Sequence, residues 1–197
     1  MLGGLILSNK KEQTKRKILK TALREIDENG YEKLSLRKLA TNCNLTTGAF
    51  YRNFANKNAL FVSLMLELST SLTEIISQKS NGNYTPREKL LLLGENVFKL
   101  FNTKNNLVNF LFFNPVAQSI YTQDRGLQDS FPLLKSVHKL IDDIISQESL
   151  GLDSDETFIK VWAFLQGYML LVRNGVTKFN TALLADTLSS LLTKKGI

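Results

Sequence analysis

The segment LSLRKLATNCNLTTGAFYRNF, residues 34–54, leaves few folds open. Ser35 can cap a helix that runs to about Asn42 and turns Leu36, Leu39 and Ala40 inward. The run Asn42-Cys43-Asn44 then breaks the pattern, and Asn44 tolerates the left-handed backbone that a tight turn demands. Thr46 can cap a second short helix, 47–53, that buries Ala49, Phe50 and Phe54. Two short helices joined by a three- or four-residue turn form a helix-turn-helix. Upstream, Ile18, Ala22, Leu23 and Ile26 fall at helical spacing in a helix from about 11 to 29 that can brace the pair, and Gly30 is its stop.

The remainder also has helical periodicity, and no alternating strand pattern competes with it. A long helix is expected from about Asn56 to Gln78, with Leu60, Leu64, Leu68 and Leu72 on one face. SNGNYTP is the clearest linker, and Pro86 suits the first turn of a helix over 86–102. LVNFLFFNP is a short apolar helix ending near Pro115, and YTQDRGLQDSFP is a loop. Further helices are expected near 132–147, 155–173 and 180–194. The fold class is therefore all-α, with about nine helices. Residues 1–9 are read as a disordered tail, 10–56 as the helix-turn-helix domain and 57–197 as a larger helical domain.

Charge is unevenly placed. Residues 1–60 carry twelve Lys/Arg against five Asp/Glu, whereas residues 61–197 carry thirteen of each. A basic module joined to a neutral one points to a polyanionic partner for the first alone. The other reading is a solvated, lysine-rich helix surface. The single cysteine, Cys43, precludes an intrachain disulfide and suits a reducing cytoplasm. The N-terminus lacks the features of a signal peptide, and no apolar stretch approaches the ~20 residues of a membrane span.

In a helix-turn-helix the second helix enters the major groove, and its first residues reach base edges. Here those are Thr46, Thr47, Gly48 and Ala49. Threonine offers a hydroxyl to a base and a methyl to thymine, while Gly48 and Ala49 allow the backbone to approach closely. Tyr51 and Asn53 suit phosphates, Lys57 suits a phosphate at the start of the next helix, and Arg37 suits a guanine edge or a phosphate. Lys10, Lys11, Lys15 and Lys38 supply flanking charge.

Residues 34–61, LSLRKLATNCNLTTGAFYRNFANKNALF, resemble the DNA-binding motif of the tetracycline-repressor (TetR) family of bacterial transcriptional regulators, and the likeness reaches back to about Thr14. It implies that Arg37, Thr47, Gly48 and Ala49 face bases, and that Ser35, Thr46, Tyr51, Asn53 and Lys57 hold the backbone. This chain has Asn44 where the family usually has glycine, and Asn53 where it often has histidine. VWAFLQGYMLLVRNG, 161–175, resembles a Trp-x-x-x-His-Gly signature in one subset of these regulators, with Gln166 in place of histidine.

The resemblance implies a ligand-responsive repressor acting as a homodimer on a palindromic duplex operator, without a cofactor or metal and without membrane attachment. It also implies a dimer interface on the last two helices, for which the candidates are Phe158, Leu165, Met169, Leu184, Leu188 and Leu191; the same stripes can equally be internal core. An inducer pocket among the middle helices has Phe61, Met65, Phe98, Phe101, Phe110, Phe113, Tyr121 and Trp162 as candidate lining, favouring an apolar or aromatic small molecule. His138, the only histidine, is either a further ligand contact or a partly buried polar residue. An enzyme is disfavoured: the one histidine and one cysteine lie far apart, and adjacent Asp142 and Asp143 point apart on a helix. A membrane-surface adaptor would need a basic amphipathic face with exposed aromatics, and the apolar face of the first helix is committed to the helix-turn-helix.

Overall fold

The computed structural model describes residues 2–79, 84–116 and 131–194. These contain nine α-helices and no strand: α1 (Leu2–Asn29), α2 (Leu36–Asn42), α3 (Thr47–Tyr51), α4 (Lys57–Lys79), α5 (Pro86–Thr103), α6 (Asn105–Phe113), α7 (Pro132–Gln147), α8 (Ser154–Arg173) and α9 (Thr181–Leu191). A single 3-10 turn, Tyr31–Lys33, follows α1. Helix α1 starts at Leu2 rather than near residue 11, so it takes in the stretch expected to be a tail; neither Ser8 nor Asn9 interrupts it. Helix α3 ends two residues earlier than expected, because Asn56 caps the next helix by accepting from the Ala59 N–H at 2.8 Å.

Two compact units divide the chain. One comprises Met1–Leu68 with Lys104–Ile120, the other Ser69–Thr103 with Tyr121–Ile197. The division falls inside α4, downstream of the boundary expected at 56/57, and α6 joins the N-terminal helices. Long-range polar contacts explain the second point. The Asn106 side-chain amide donates to the Asp27 carbonyl at 2.8 Å, and Lys104 Nζ pairs with Asp27 Oδ2 at 2.6 Å.

In the first unit, Ile18, Ala22 and Ile26 of α1 meet Leu39 and Ala40 of α2, Phe50 of α3, and Leu60 and Leu64 of α4 in a fully buried core. Tyr31, Phe61 and Phe110 form an edge-packed aromatic cluster beside it. Asn114 is buried, donating to the Phe110 carbonyl at 3.1 Å and to Met65 Sδ at 3.2 Å.

The second unit is built on α5, α7, α8 and α9. Thr85 and Glu88 close a capping box at the start of α5: Glu88 Oε2 accepts from the Thr85 N–H at 2.7 Å and from its hydroxyl at 2.9 Å. These bonds, the backbone one foremost, hold the Glu88 carboxyl below its ordinary pKa. Arg87 forks onto both carboxylate oxygens of Glu148 and donates to the Leu192 carbonyl, tying α5 to the ends of α7 and α9. The Arg87 guanidinium lowers the Glu148 pKa through its hydrogen bond, against a small opposing effect of desolvation. Ser69 is fully buried, and its hydroxyl accepts from the Leu133 N–H at 2.9 Å, capping α7 where Phe131 supplies no side-chain cap. Gly94 of α5 lets Leu184 of α9 approach to where a Cβ would lie 3.0 Å from its Cδ2. Phe98 stacks on Phe179 with centroids 4.3 Å apart, and the Tyr168 hydroxyl accepts from the Asn180 N–H at 2.6 Å, setting the start of α9.

Most of the residues expected at a dimer interface are buried within the protomer. Phe158, Leu165, Met169, Leu184 and Leu188 are all buried inside the protomer, and Leu191 is half-buried. The inward stripes of α8 and α9 take up the five buried ones, and Leu191 keeps part of its surface. The exposed apolar residues of these helices are Ile159, Leu170, Leu171 and Leu183, with Ala163 and Gly167 also exposed along α8. Phe61, Met65 and Phe110 are packed within the first unit, and Phe98, Phe101 and Trp162 within the second; Phe113 is half-buried. Tyr121 lies outside the described residues. His138 is enclosed by Asp155 at 3.0 Å from Nε2, Asp142 at 3.5 Å from Nδ1 and the edge-on ring of Phe158, which makes it a joint between α7 and α8. Among the described residues no three His, Cys, Asp or Glu side chains could hold a metal, and no helix is long and apolar enough to cross a membrane.

Candidate nucleic-acid interface

The helix-turn-helix forms by local chemistry. Ser35 caps α2, its hydroxyl accepting from the Lys38 N–H at 3.5 Å, and Thr46 caps α3, accepting from the Ala49 N–H at 3.2 Å. Between them Asn44 adopts φ 55°, the left-handed value that the turn needs. The Leu45 N–H returns to the Ala40 carbonyl at 2.9 Å, closing the turn, and buried Cys43 anchors it. Asn42 then donates to Glu25 at 2.6 Å, fixing α2 against α1.

This arrangement leaves a polar, nearly bare helix end in solvent. Thr46, Thr47 and Gly48 are exposed and Ala49 is half-exposed. A Cβ built on Gly48 meets nothing within 4 Å, and its φ lies outside the left-handed region, so neither packing nor backbone strain in the protein itself requires glycine there. Ser35, Arg37 and Tyr51 are exposed around it. Lys57 is half-buried, its ammonium 5.2 Å over the Phe61 ring, at the first residue of α4. The cation–π contact steadies a charge that would otherwise sample many rotamers.

Asn53 does not fit its expected place. Its amide donates to the Ala49 carbonyl at 2.9 Å and its Oδ1 is buried without a partner, so its donor closes the end of α3. Arg52 takes the exposed position beside it. Arg52 is the one formal charge in LTTGAFYRNF, and that charge is the sequence signal for it. Arg37, Arg52, Lys10 and Lys11 make no ion pair among the described residues.

Two short capped helices about a left-handed turn, braced by a longer one and carrying exposed donors and cations, define a helix-turn-helix domain. Residues 18–64 match the profile of the bacterial regulatory proteins of the tetR family. It is 30% identical over 93 residues to the HTH-type transcriptional regulator YuxN of Bacillus subtilis, a match covering 45% of this chain and 32% of that protein. It is also 30% identical over 90 residues to the fatty acid metabolism regulator protein of the same organism, with 46% of each covered. The chain thus spans less than half the length of these two curated relatives. Its fold resembles that of the transcriptional regulator FadR from Bacillus subtilis, solved in complex with stearoyl-CoA: TM-score 0.63, 22% identity, 92% of this chain and 98% of that one.

Proposed function

We propose that the protein is a transcriptional regulator that binds a palindromic duplex operator as a homodimer in the cytoplasm and is released by a small molecule, acting as a repressor. The observation that carries this reading is Gly48. It sits exposed in the first turn of α3, with free space where a side chain would be. A surface glycine that the fold does not need is explained by an external body that must come close, and a base-pair edge is such a body. Thr47 beside it supplies a hydroxyl and a methyl for readout. Arg37 is the remaining base-reading candidate, while Ser35, Thr46, Tyr51 and Lys57 hold phosphates.

For the homodimer, the supporting face is the exposed one. Ile159, Ala163, Gly167 and Leu170 form a stripe along α8, and Leu183 extends it on α9. Gly167 has nothing within 4 Å of its Cβ position, which leaves room for a helix of a second copy. For the inducer, an apolar molecule with a long acyl chain is the reading favoured by the related fold that holds stearoyl-CoA. Such a ligand acts only through its differential affinity for operator-competent and operator-incompetent dimers.

Selection of bound duplexes from a random pool, at two salt concentrations, tests the reading. The expected result is a palindrome whose half-sites are about one helical turn apart. Retention of duplexes without a common motif refutes it. Stearoyl-CoA, and not coenzyme A alone, is expected to release the selected duplex.

A further inference from the structure

A cavity of about 540 Å³ opens between α1 and α3, lined by Lys10, Lys11 and Thr14 from one side and Leu45, Ala49, Arg52 and Asn53 from the other. Three of these side chains are cations, and none has an ion-pair partner among the described residues. No acidic side chain lines the cavity. Elsewhere, Arg16 pairs with Glu12, Lys160 with Glu156 and Lys104 with Asp27, whereas the cations around this cavity have no carboxylate beside them. Three cations facing one concavity repel one another, so the site is completed by an anion. Ala49 belongs to both this wall and the base-facing start of α3, which places the cavity directly beside the proposed reading surface.

We propose that this cleft seats the phosphodiester backbone of DNA outside the base-read half-site, with Lys10, Lys11 and Arg52 as its phosphate ligands. The inference rests on the operator-binding reading above. The phosphates concerned are not those of Ser35, Tyr51 and Lys57, because those residues belong to α2, α3 and the start of α4 and line no part of this cavity. Arg52 brings a planar fork that matches two phosphate oxygens, and the two lysines act as point charges. The cleft therefore lengthens the footprint and raises affinity without adding sequence information.

The test compares the full-length protein with the triple variant Lys10→Ala, Lys11→Ala, Arg52→Ala on the duplex selected by the wild type. A control variant, Lys99→Ala, Lys135→Ala, Lys139→Ala, removes the same net charge from exposed positions of the second unit. Each lost phosphate contact lowers the magnitude of the slope of log K against log salt by about 0.9. The expected result is a slope smaller by roughly 2 to 3 for each protomer bound. A hydroxyl-radical footprint shortened at its outer edges and an unchanged selected motif are expected with it, while the control keeps the wild-type slope. An unchanged slope and footprint overturn the inference and leave operator binding intact. Equal slope losses in both triple variants also overturn it, by showing a long-range charge effect. A changed motif overturns it by making the cleft a base reader. A wild type that selects no duplex motif overturns this inference together with the reading beneath it.

Discussion

Replacing Gly48 by alanine separates folding from binding at one atom. The added methyl meets no protein atom within 4 Å, so it creates no clash in the free protein. Alanine is up to about 1 kcal/mol more favourable than glycine inside a helix, and less in a first turn, where Gly48 lies two residues past the Thr46 cap. The free variant is thus expected to be as stable as the wild type or more stable by several tenths of a kcal/mol. On the operator the same methyl must enter the space that a base edge or sugar occupies. Overfilling a packed contact costs about 1–3 kcal/mol, which is roughly a 5- to 140-fold loss of affinity per half-site. A two-fold dimer carries the loss twice. Thermal melting of the free protein and fluorescence anisotropy with the selected duplex, at one fixed salt concentration, read the two effects. Unchanged affinity would refute the argument, because it would mean that no external surface approaches Gly48. A drop in melting temperature would refute its first half, by showing that the space at Gly48 is used by the fold.

Four further outcomes are expected. Ser69→Ala leaves the buried Leu133 N–H without its acceptor and is expected to lower stability by about 1–2 kcal/mol in chemical denaturation. Gly94→Ala sets a methyl 3.0 Å from Cδ2 of fully buried Leu184 and is expected to cost about 1 kcal/mol despite the better helix propensity of alanine, seen as a lower melting temperature. Glu148 and Glu88 both have depressed pKa values, so their contribution is present at neutral pH and lost as pH falls from the ordinary carboxylate value through the depressed one. Arg87→Ala, which removes the main cause at Glu148, is expected to flatten that acid limb in melting curves recorded from pH 6 downward. Leu170→Asp is expected to give a folded monomer in sedimentation, since Leu170 is 42% exposed in the protomer; a dimer that persists would move the interface elsewhere.

What could be read from the sequence was what depends on neighbours a few residues apart. Ser35, Asn44 and Thr46 act within four residues of themselves, and each takes the conformation and partner that its chemistry implies. The exposure of Thr47, Gly48 and Tyr51 follows from the same short-range pattern, because Phe50 claims the inward side of α3. What could not be read depends on contacts between distant segments. Helix α8 is apolar on two faces: Phe158, Trp162, Leu165 and Met169 on one, Ile159, Ala163 and Leu170 on the other. Periodicity finds both stripes and cannot rank them; only the arrival of α5, α7 and α9 decides which is inward. Asn53 shows a related effect. Its residue type suits a phosphate, but the unsatisfied carbonyl of Ala49 at the end of a five-residue helix claims its amide first. That loss passes the outward position to Arg52, whose guanidinium has no ion-pair partner among the described residues. Short recognition helices of this kind thus split their polar residues between closing their own ends and meeting a ligand, and the backbone groups left open by the helix decide the split.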